Sequence, residues 1–386
     1  MREHIEKRFE NFVDDLETVV NIDSGSRYVT GLEAVRTFFR DRFAKIGWKT
    51  TSHTFGDGKV PCLEVANRTH AGGDSAFDLL FIGHMDTVFG QGTAVARPFT
   101  RDEKRAYGPG VCDMKGGLVT MLHIAEILQD NGLTDDIAIA MAFNSDEEIG
   151  SRDSRPWYEG LAAQSRCVFV FEPWRTTGER ILHRKGGGNF DVVCHGKAAH
   201  AGAAPEDGAN AVIELAHQIL AVRELDRPDL GTSVNVTVIE GGTADNVIPD
   251  YARASVDVRI ADAADAARIE EGFQALRRNI HNPGIRLEVN GGINRPPMAP
   301  SEKTTQYWKQ IADIGESIGI EMTLTSTGGC SDGNYTAALG IPTIDAMGVR
   351  GGSVHSEDEY IELDSIVPNL HLLCEIVKAF ANDRIS

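Results

Sequence analysis

Residues 79–88 read Leu-Leu-Phe-Ile-Gly-His-Met-Asp-Thr-Val, an apolar run that ends in a histidine and, two positions later, an aspartate. The run predicts a buried strand. Residues i and i+2 of a strand point to the same side, so His84 and Asp86 leave the strand end together. A carboxylate beside an imidazole can fix which ring nitrogen is free to bind a metal ion. These residues alone leave two interpretations open, a structural hydrogen-bonded pair and a metal site.

Four further groups of side chains lie in loops at the ends of predicted elements. Asp113 lies in a glycine-rich loop that runs into a helix, where it is either a helix N-cap or a ligand. Three consecutive acids at 146–148 follow the apolar run 137–143, and they repel one another unless cations are present; the alternative is a solvated turn. The residues of the four groups are Asp113, then Glu147 and Glu148, then Glu172, and finally His355.

Together these loops supply two histidines and several carboxylates. In open α/β sheets the carboxyl ends of the strands are where ligands bind. Mixed nitrogen and oxygen ligands suit zinc, with manganese or cobalt as alternatives. Two metal ions about 3.5–4 Å apart, bridged by a carboxylate and a water, would use such a set.

The composition excludes several other classes of protein. The 386 residues carry a net charge of −19, which disfavours nucleic acid or an anionic membrane as a partner. We expect neither a secretory leader nor a membrane span, because residues 1–8 are mostly charged and no apolar run reaches membrane length. The 6 cysteines include no C-x-x-C pair, which predicts free thiols and a cytoplasmic location.

The length of the chain predicts two domains, because it exceeds the size at which a single hydrophobic core stops growing. Helical and strand patterns alternate in residues 1–180 and again in 294–386. This alternation predicts one catalytic α/β domain with a covered mixed sheet. Residues 181–293 follow a β-α-β-β-α-β order with half-buried strands, which predicts an inserted ferredoxin-like α+β domain. The free edge of its antiparallel sheet could pair with another subunit.

Six motifs, spread over almost the whole chain, resemble peptidase family M20, a family of dizinc hydrolases. Two further segments, 294–297 and 329–335, most resemble its glutamate carboxypeptidase branch. The six motifs are His84-Met-Asp86-Thr87, Gly110-Val-Cys-Asp113-Met-Lys-Gly-Gly117, Ser145-Asp-Glu147-Glu148-Ile-Gly150, Glu172-Pro173, His195-Gly-Lys-Ala-Ala-His200-Ala-Gly202 and Gly352-Ser-Val-His355-Ser.

The resemblance implies a centre of two zinc ions, with cobalt or manganese as substitutes. His84 and Glu172 would bind one ion, and Glu148 and His355 the other. Asp113 would bridge both ions, and its peptide bond to the next residue would be cis.

The resemblance also implies catalytic roles for three residues. Asp86 would orient a ligand histidine. Glu147 would take a proton from the attacking water and return it to the leaving amine. His200, which its own surroundings would mark only as a surface histidine, would stabilise the oxyanion. It would do so in the partner subunit's site of a homodimer formed through the inserted domain.

The resemblance implies that Asn246 and Arg259 of the inserted domain match family positions that hold the substrate's terminal carboxylate. Arg295, at the border of this domain, would assist them. The planar guanidinium fork fits a carboxylate. The alternative for both arginines is an ordinary strand position.

The predicted function is cleavage of an amide bond beside a free carboxylate, in a small peptide or an N-acyl amino acid. A glutamate carboxypeptidase that releases C-terminal glutamate fits best. One alternative is a deacylase of the acetylornithine or succinyl-diaminopimelate kind. Another is an inactive metal-binding scaffold, although such a protein would have no use for Glu147.

Overall fold

The structure is a computed structural model that describes residues 2–68 and 75–385. It divides into two compact units. The first lies within Met1–His183, Ala299–Ser326 and Ser331–Ser386, and the second comprises Arg184–Met298 and Thr327–Cys330. The first unit is therefore interrupted in sequence by the second.

The helices of the described residues follow the apolar periodicity of the sequence. The chain turns at residues 7 and 8, so the apolar periodicity of residues 5–20 is divided between two helices. No helix among these residues has both the length and the apolar character needed to cross a bilayer. The helices are α1 Arg2–Glu6, α2 Phe9–Val20, α3 Val29–Lys45, α4 Thr93–Ala96, α5 Gly116–Asp130, α6 Arg155–Ala162, α7 Ala211–Arg223, α8 Ala264–Leu276, α9 Glu302–Ser317, α10 Gly333–Ala338 and α11 Ile366–Ala381.

Most strands of six or more residues coincide with apolar or alternating runs of the sequence; the exception is the first strand, residues 49–55, most of whose residues are polar. The strands are β1 Lys49–Phe55, β2 Val60–Ala66, β3 Phe77–His84, β4 Thr100–Arg101, β5 Arg105–Tyr107, β6 Ile139–Asn144, β7 Ser165–Val170, β8 Arg180–Arg184, β9 Gly186–His195, β10 Ser233–Gly241, β11 Tyr251–Ile260, β12 Arg286–Arg295, β13 Leu324–Thr327, β14 Thr343–Ile344, β15 Gly351–Gly352 and β16 Tyr360–Glu362.

The first unit is built on a six-stranded sheet with the order β1-β2-β6-β3-β7-β14. Strands β6, β3, β7 and β14 run parallel, whereas β2 pairs antiparallel with both β1 and β6. The predicted mixed sheet is therefore confirmed. In β3 His84 lies opposite Asn144 of β6, and Ile82 lies opposite Val170 of β7. The carboxyl ends of these three strands are therefore level at one edge of the sheet.

Helices cover both faces of this sheet. Phe81 of β3 belongs to an apolar cluster that includes buried residues of α2, α3, α5, α9 and α11. Its neighbour Leu80 points the other way and packs with Tyr158 of α6 and Tyr335 of α10. Burial on both faces explains why the central strands read as nearly continuous apolar runs.

The second unit is an antiparallel sheet with the order β10-β11-β9-β12. Its elements follow one another as β9, α7, β10, β11, α8 and β12, which confirms the predicted β-α-β-β-α-β domain. Phe190 of β9 stacks on Phe273 of α8 with ring centroids 3.7 Å apart. The side chain of Asn210 caps α7 by accepting hydrogen bonds from two backbone N–H groups of its first turn.

A small sheet with the order β15-β16-β5-β4 completes the first unit. None of its strands exceeds three residues, too few to give a periodicity in sequence. Strand β5 leads into the loop that carries Asp113, and the turn between β15 and β16 carries His355. The sheet therefore connects the Asp113 loop and the His355 turn, which are far apart in sequence.

Candidate metal centre

His84 is the last residue of β3 and is buried. Its Nδ1 lies 2.9 Å from the backbone carbonyl oxygen of Asp86, so Nδ1–H donates to this carbonyl. This bond fixes the tautomer and leaves Nε2 as the nitrogen available to a cation. Nε2 lies 3.1 Å from Oδ1 of Asp113.

The Asp86 carboxylate is fully buried and holds the backbone of the acidic loop. Its Oδ1 accepts the N–H of Glu147 and its Oδ2 accepts the N–H of Glu148, both at 3.2 Å. Ser26 Oγ donates to the same Oδ2 at 2.7 Å. The carboxylate also lies 3.5 Å from Nδ1 of His84. Asp86 thus joins the end of β3 to the acidic loop after β6, a contact that the predicted role did not include.

Asp113 does not cap α5. The helix begins at Gly116, and Lys115, at the cap position, makes no side-chain cap. The N-cap interpretation of Asp113 is therefore wrong. The peptide bond between Asp113 and Met114 is cis, as the family resemblance implied.

Glu359 supports the Asp113 loop, a function that no local pattern in the sequence indicates. Its carboxylate accepts the backbone N–H groups of Gly110, Cys112 and Asp113 at 3.0, 2.8 and 2.9 Å. Burial raises the pKa of Glu359 to about 7. In the sequence, Glu359 is marked only as one of three acids that follow the motif containing His355.

Replacing Glu359 with glutamine is expected to lower the free energy of unfolding by about 1–3 kcal/mol, because at least one buried N–H group loses its acceptor. Chemical denaturation in the presence of a chelator measures this change without a contribution from bound metal. Glu357→Gln is the matched control, since Glu357 is exposed. Equal stabilities of the two variants would show that the carboxylate does not hold the loop.

Five side chains converge into two groups that share Asp113. In each group the candidate ligand atoms lie within 4.8 Å of one another. Oδ1 of Asp113 faces His84, whereas Oδ2 lies 3.2 Å from Nε2 of His355. His84 Nε2 lies 3.7 Å from Glu172 Oε1, and His355 Nε2 lies 3.3 Å from Glu148 Oε2. The two oxygens of one carboxylate therefore point into two different groups.

The electrostatics of the cluster favour cations. Three carboxylates lie beside two imidazoles, and burial raises the pKa of Glu148. Oε1 of Glu148 is buried and has no hydrogen-bond partner among the described residues, although buried polar atoms are normally paired. Hydrogen bonds to Asp113 and Glu148 raise the pKa of His355 to about 10. This donor set fits metal ions that accept nitrogen and oxygen ligands.

Glu147 is buried and directly precedes Glu148 in sequence. Neither ligand group found among the described residues includes it. Glu147 and Glu148 both lie in one turn of 3-10 helix directly after Asp146. Successive residues there project in different directions, so one acid can join the ligand groups while its neighbour does not.

In the second unit, His200 is exposed and its ring has a defined tautomer. Nδ1 accepts the backbone N–H groups of Gly202 and Ala203, each at 3.1 Å. The ring proton of a neutral His200 therefore sits on Nε2, which is a hydrogen-bond donor. The backbone next to it is tied to Asn246, whose carbonyl accepts the N–H of residue 201 at 2.9 Å. His200 and Asn246 therefore belong to one local structure.

Arg259 and Arg295 lie on either side of Gly187 in the second-unit sheet. Asp257 accepts from Nε and Nη2 of Arg259 at 3.0 and 2.9 Å, and Nη1 lies 3.2 Å from Sγ of Cys330. Arg295 is buried. Asp257 therefore binds the Nε and Nη2 edge of the Arg259 guanidinium and thereby fixes the direction of Nη1.

Comparison with known proteins agrees with this geometry. The profile of Peptidase family M20/M25/M40 matches residues 80–379. Carboxypeptidase G2 from Pseudomonas sp. (strain RS-16) is 31% identical over 376 residues, which cover 95% of this chain and 88% of that protein. A succinyl-diaminopimelate desuccinylase from Gluconacetobacter diazotrophicus is 28% identical, covering 87% of this chain and 88% of its own length.

Solved structures show the same fold. A tripeptidase from Staphylococcus aureus superposes with a TM-score of 0.78 at 19% identity and covers 97% of this chain and 99% of its own. An M20 family metallo-carboxypeptidase from Sulfolobus solfataricus gives a TM-score of 0.76 at 18% identity, with coverages of 96% and 99%. The chain therefore belongs to peptidase family M20 and is a metal-dependent hydrolase.

Proposed function

We propose that this protein is a dizinc hydrolase that cleaves an amide bond beside a free carboxylate. It would release C-terminal glutamate or a similar amino acid from a small peptide or an N-acyl amino acid. The observation that carries the proposal is the pair of ligand groups that share Asp113, one of which contains Glu148, the residue next to Glu147 in the same turn. The similarity to carboxypeptidase G2 supports carboxypeptidase activity.

Two metal ions would be held by five residues. His84 and Glu172 would bind one ion, Glu148 and His355 the other, and Asp113 both. Bound there, zinc, cobalt or manganese would polarise the scissile carbonyl and lower the pKa of a bound water towards 7. The unpaired, buried Oε1 of Glu148 supports a cation at this place.

Glu147 would act first as the general base and then as the general acid. Its carboxylate accepts the proton of the attacking water and donates it to the leaving nitrogen, which avoids expulsion of an amide anion. Asp86 supports this task because its carboxylate accepts the N–H groups of both Glu147 and Glu148. One buried group thereby orients the base relative to the ligand.

His200 would stabilise the oxyanion. With Nδ1 occupied by two backbone N–H groups, Nε2–H is the atom that can donate to the developing charge. Such a donor contributes about 10²–10³ in kcat. Asn246 and Arg259, with Arg295, would hold the substrate's terminal carboxylate, and Asp257 would keep the Arg259 fork oriented.

The active assembly would be a homodimer formed through the second unit. Strand β10 is an edge of its sheet and is mostly exposed. Ile239 on this strand and Leu220 on α7 are each 64% exposed. An unpaired edge with exposed apolar side chains favours pairing with a second copy. Sedimentation velocity is expected to give twice the chain mass, and a monomer at micromolar concentration would contradict the dimer.

A cytoplasmic location is part of the proposal. All six cysteines are free, and five of them are buried. Unpaired cysteines are typical of a reducing compartment.

A substrate screen on the zinc-loaded protein tests the proposed function. N-acyl-L-glutamates and dipeptides with C-terminal glutamate are expected to be cleaved, whereas the same acyl amino acids as C-terminal amides are not. The similarity to a desuccinylase favours deacylation as the second candidate. If N-acetylornithine or N-succinyl-diaminopimelate were cleaved far faster than any acylglutamate, that second candidate would replace the first. A metal-loaded protein that cleaves none of these substrates would be the inactive scaffold.

A further inference from the structure

Asp332 is a buried carboxylate that belongs to neither ligand group found among the described residues. It directly precedes α10 and is 1% exposed. Its Oδ2 accepts a hydrogen bond from Nδ2 of Asn144. Its Oδ1 accepts from Oγ of Ser151 and, at 2.9 Å, from the hydroxyl of Tyr158 in α6. One carboxylate thus receives three donors from a segment that lies 174 to 188 positions earlier in the chain.

Two of these donors lie on either side of the acidic loop, residues 145–150. This loop carries Glu147 and Glu148. Asn144 is the last residue of β6 and directly precedes the loop. Ser151 directly follows it. The carboxylate therefore bonds to both ends of the segment that presents the proposed base and a candidate ligand.

Backbone contacts also hold each end of the loop. The carbonyl of Asn144 accepts the N–H of Met85 at 2.8 Å, which continues the pairing of β6 with β3. The N–H of Ser151 donates to the carbonyl of Asp146 at 2.7 Å. Ser151 has a φ of 51°, a left-handed conformation that residues other than glycine adopt at a cost in free energy. The bond from its hydroxyl to Asp332 stabilises this conformation.

The middle of the loop is held by a second buried carboxylate. Asp86 accepts the N–H groups of Glu147 and Glu148, both at 3.2 Å. Near the end of the loop, the hydroxyl of Tyr335 in α10 donates to the carbonyl of Gly150 at 3.1 Å. The loop is therefore bonded to two elements, the end of β3 and the start of α10.

The bonds at the ends have a consequence for the proposed base. Bonds at its middle alone leave a loop free to tilt about that point, whereas a bond at each end prevents the tilt. A general base must lie within hydrogen-bond reach of the proton that it accepts. A displacement of about 1 Å can lower a rate by about 10²-fold.

We propose that Asp332 is a positioning residue for Glu147. By binding both ends of the acidic loop, it holds the Glu147 carboxylate where this group can take a proton from the attacking water. The inference rests on the proposed function, because that function makes Glu147 the base. The alternative is a structural carboxylate, which would stabilise the fold without a specific effect on the catalytic step.

The first test compares two variants that each remove one hydrogen bond to the same oxygen, Oδ1 of Asp332. Ser151→Ala releases one end of the acidic loop, whereas Tyr158→Phe removes a bond to α6. Each is expected to lower Tm by about 2–4 °C, as one lost hydrogen bond does in a large domain.

The kinetic constants of the zinc-loaded variants, measured with N-acetyl-L-glutamate, are expected to differ. Ser151→Ala should lower kcat by at least about tenfold and change KM by less than about twofold. Tyr158→Phe should leave both constants within about twofold of the unmodified chain. Equal values of kcat in the two variants would show that Asp332 only stabilises the fold.

A double variant tests whether the effect acts through Glu147. The base is already absent in E147Q, so adding Ser151→Ala is expected to lower kcat by less than about threefold more. The zinc content of Ser151→Ala is expected to equal that of the unmodified chain. A further tenfold loss in the double variant, or loss of zinc from Ser151→Ala, would assign the effect to another group and overturn the inference.

Hydrogen exchange gives the same comparison without turnover. The backbone N–H groups of residues 145–150, followed by mass spectrometry, are expected to exchange at least about tenfold faster in Ser151→Ala than in the unmodified chain. In Tyr158→Phe their exchange rates should be unchanged. Equal acceleration in both variants, or none in either, would overturn the inference even if the protein cleaved no acylglutamate, an outcome that would separately contradict the proposed function.

Discussion

Replacing Glu147 with glutamine is expected to lower kcat by about 10²- to 10⁴-fold, the usual contribution of a general acid–base group. Glutamine keeps the shape of the side chain but cannot accept a proton from water. The bound metal should be unaffected, because Glu147 belongs to neither ligand group of the described residues. Steady-state kinetics and metal analysis of the same preparation measure both quantities.

The neighbouring acid provides the control for this prediction. Glu148→Gln alters a ligand that lies 3.3 Å from Nε2 of His355. This variant is expected to lose metal as well as activity. If Glu147→Gln were instead the variant that loses metal, the roles of the two acids would have to be interchanged.

Replacing Asp113 with alanine is expected to weaken the binding of both metal ions and to abolish activity. Its two carboxylate oxygens point into the two groups separately, towards His84 and His355. Losing a residue that merely supports a ligand reduces metal affinity by about 10- to 100-fold, and losing a shared ligand should cost more. Competition titrations with a chromophoric chelator measure the two affinities.

Asp358→Ala is the matched control for Asp113→Ala, because Asp358 is an exposed acid near the same loop. It should leave both metal affinities unchanged. If Asp113→Ala still bound two ions tightly, Asp113 would not be the shared ligand.

The sequence was most informative where strands are buried on both faces. Every residue of β3 and β6 is buried, so both read as apolar runs and their ends could be placed to within two residues. Parallel pairing then brings the ends of such strands to one edge, which is why His84 and Glu172 could be expected to lie near each other. The β-α-β-β-α-β order of the second unit was equally visible, because its half-buried strands alternate.

Contacts between distant segments could not be predicted. Glu359 accepts N–H groups from residues nearly 250 positions earlier, and two-residue strands such as β4 and β15 carry no periodicity. The local sequence did not decide whether Asp113 is a helix N-cap or a metal ligand, because both interpretations place an acid before a helix. Strand β1 was missed since six of its seven residues are polar and none is more than partly buried.

The spacing of His84 and Asp86 in the sequence did not predict which atoms of Asp86 make each contact. Its position two residues after His84 predicted a group that orients a histidine. In the structure the backbone carbonyl of Asp86 accepts from His84, while the carboxylate accepts from the backbone of the acidic loop. Spacing alone cannot distinguish a carbonyl from a carboxylate when both lie within reach of the same ring.

The central claim is that five side chains hold two metal ions through one shared carboxylate. Its most direct test is the number of zinc ions bound per chain, measured by calorimetric titration of chelator-treated protein and by mass spectrometry of the metal content. The account predicts two ions for the unmodified chain, no more than one for His84→Ala or His355→Ala, and none bound tightly for Asp113→Ala. A single ion in the unmodified chain, or two ions retained in Asp113→Ala, would contradict it.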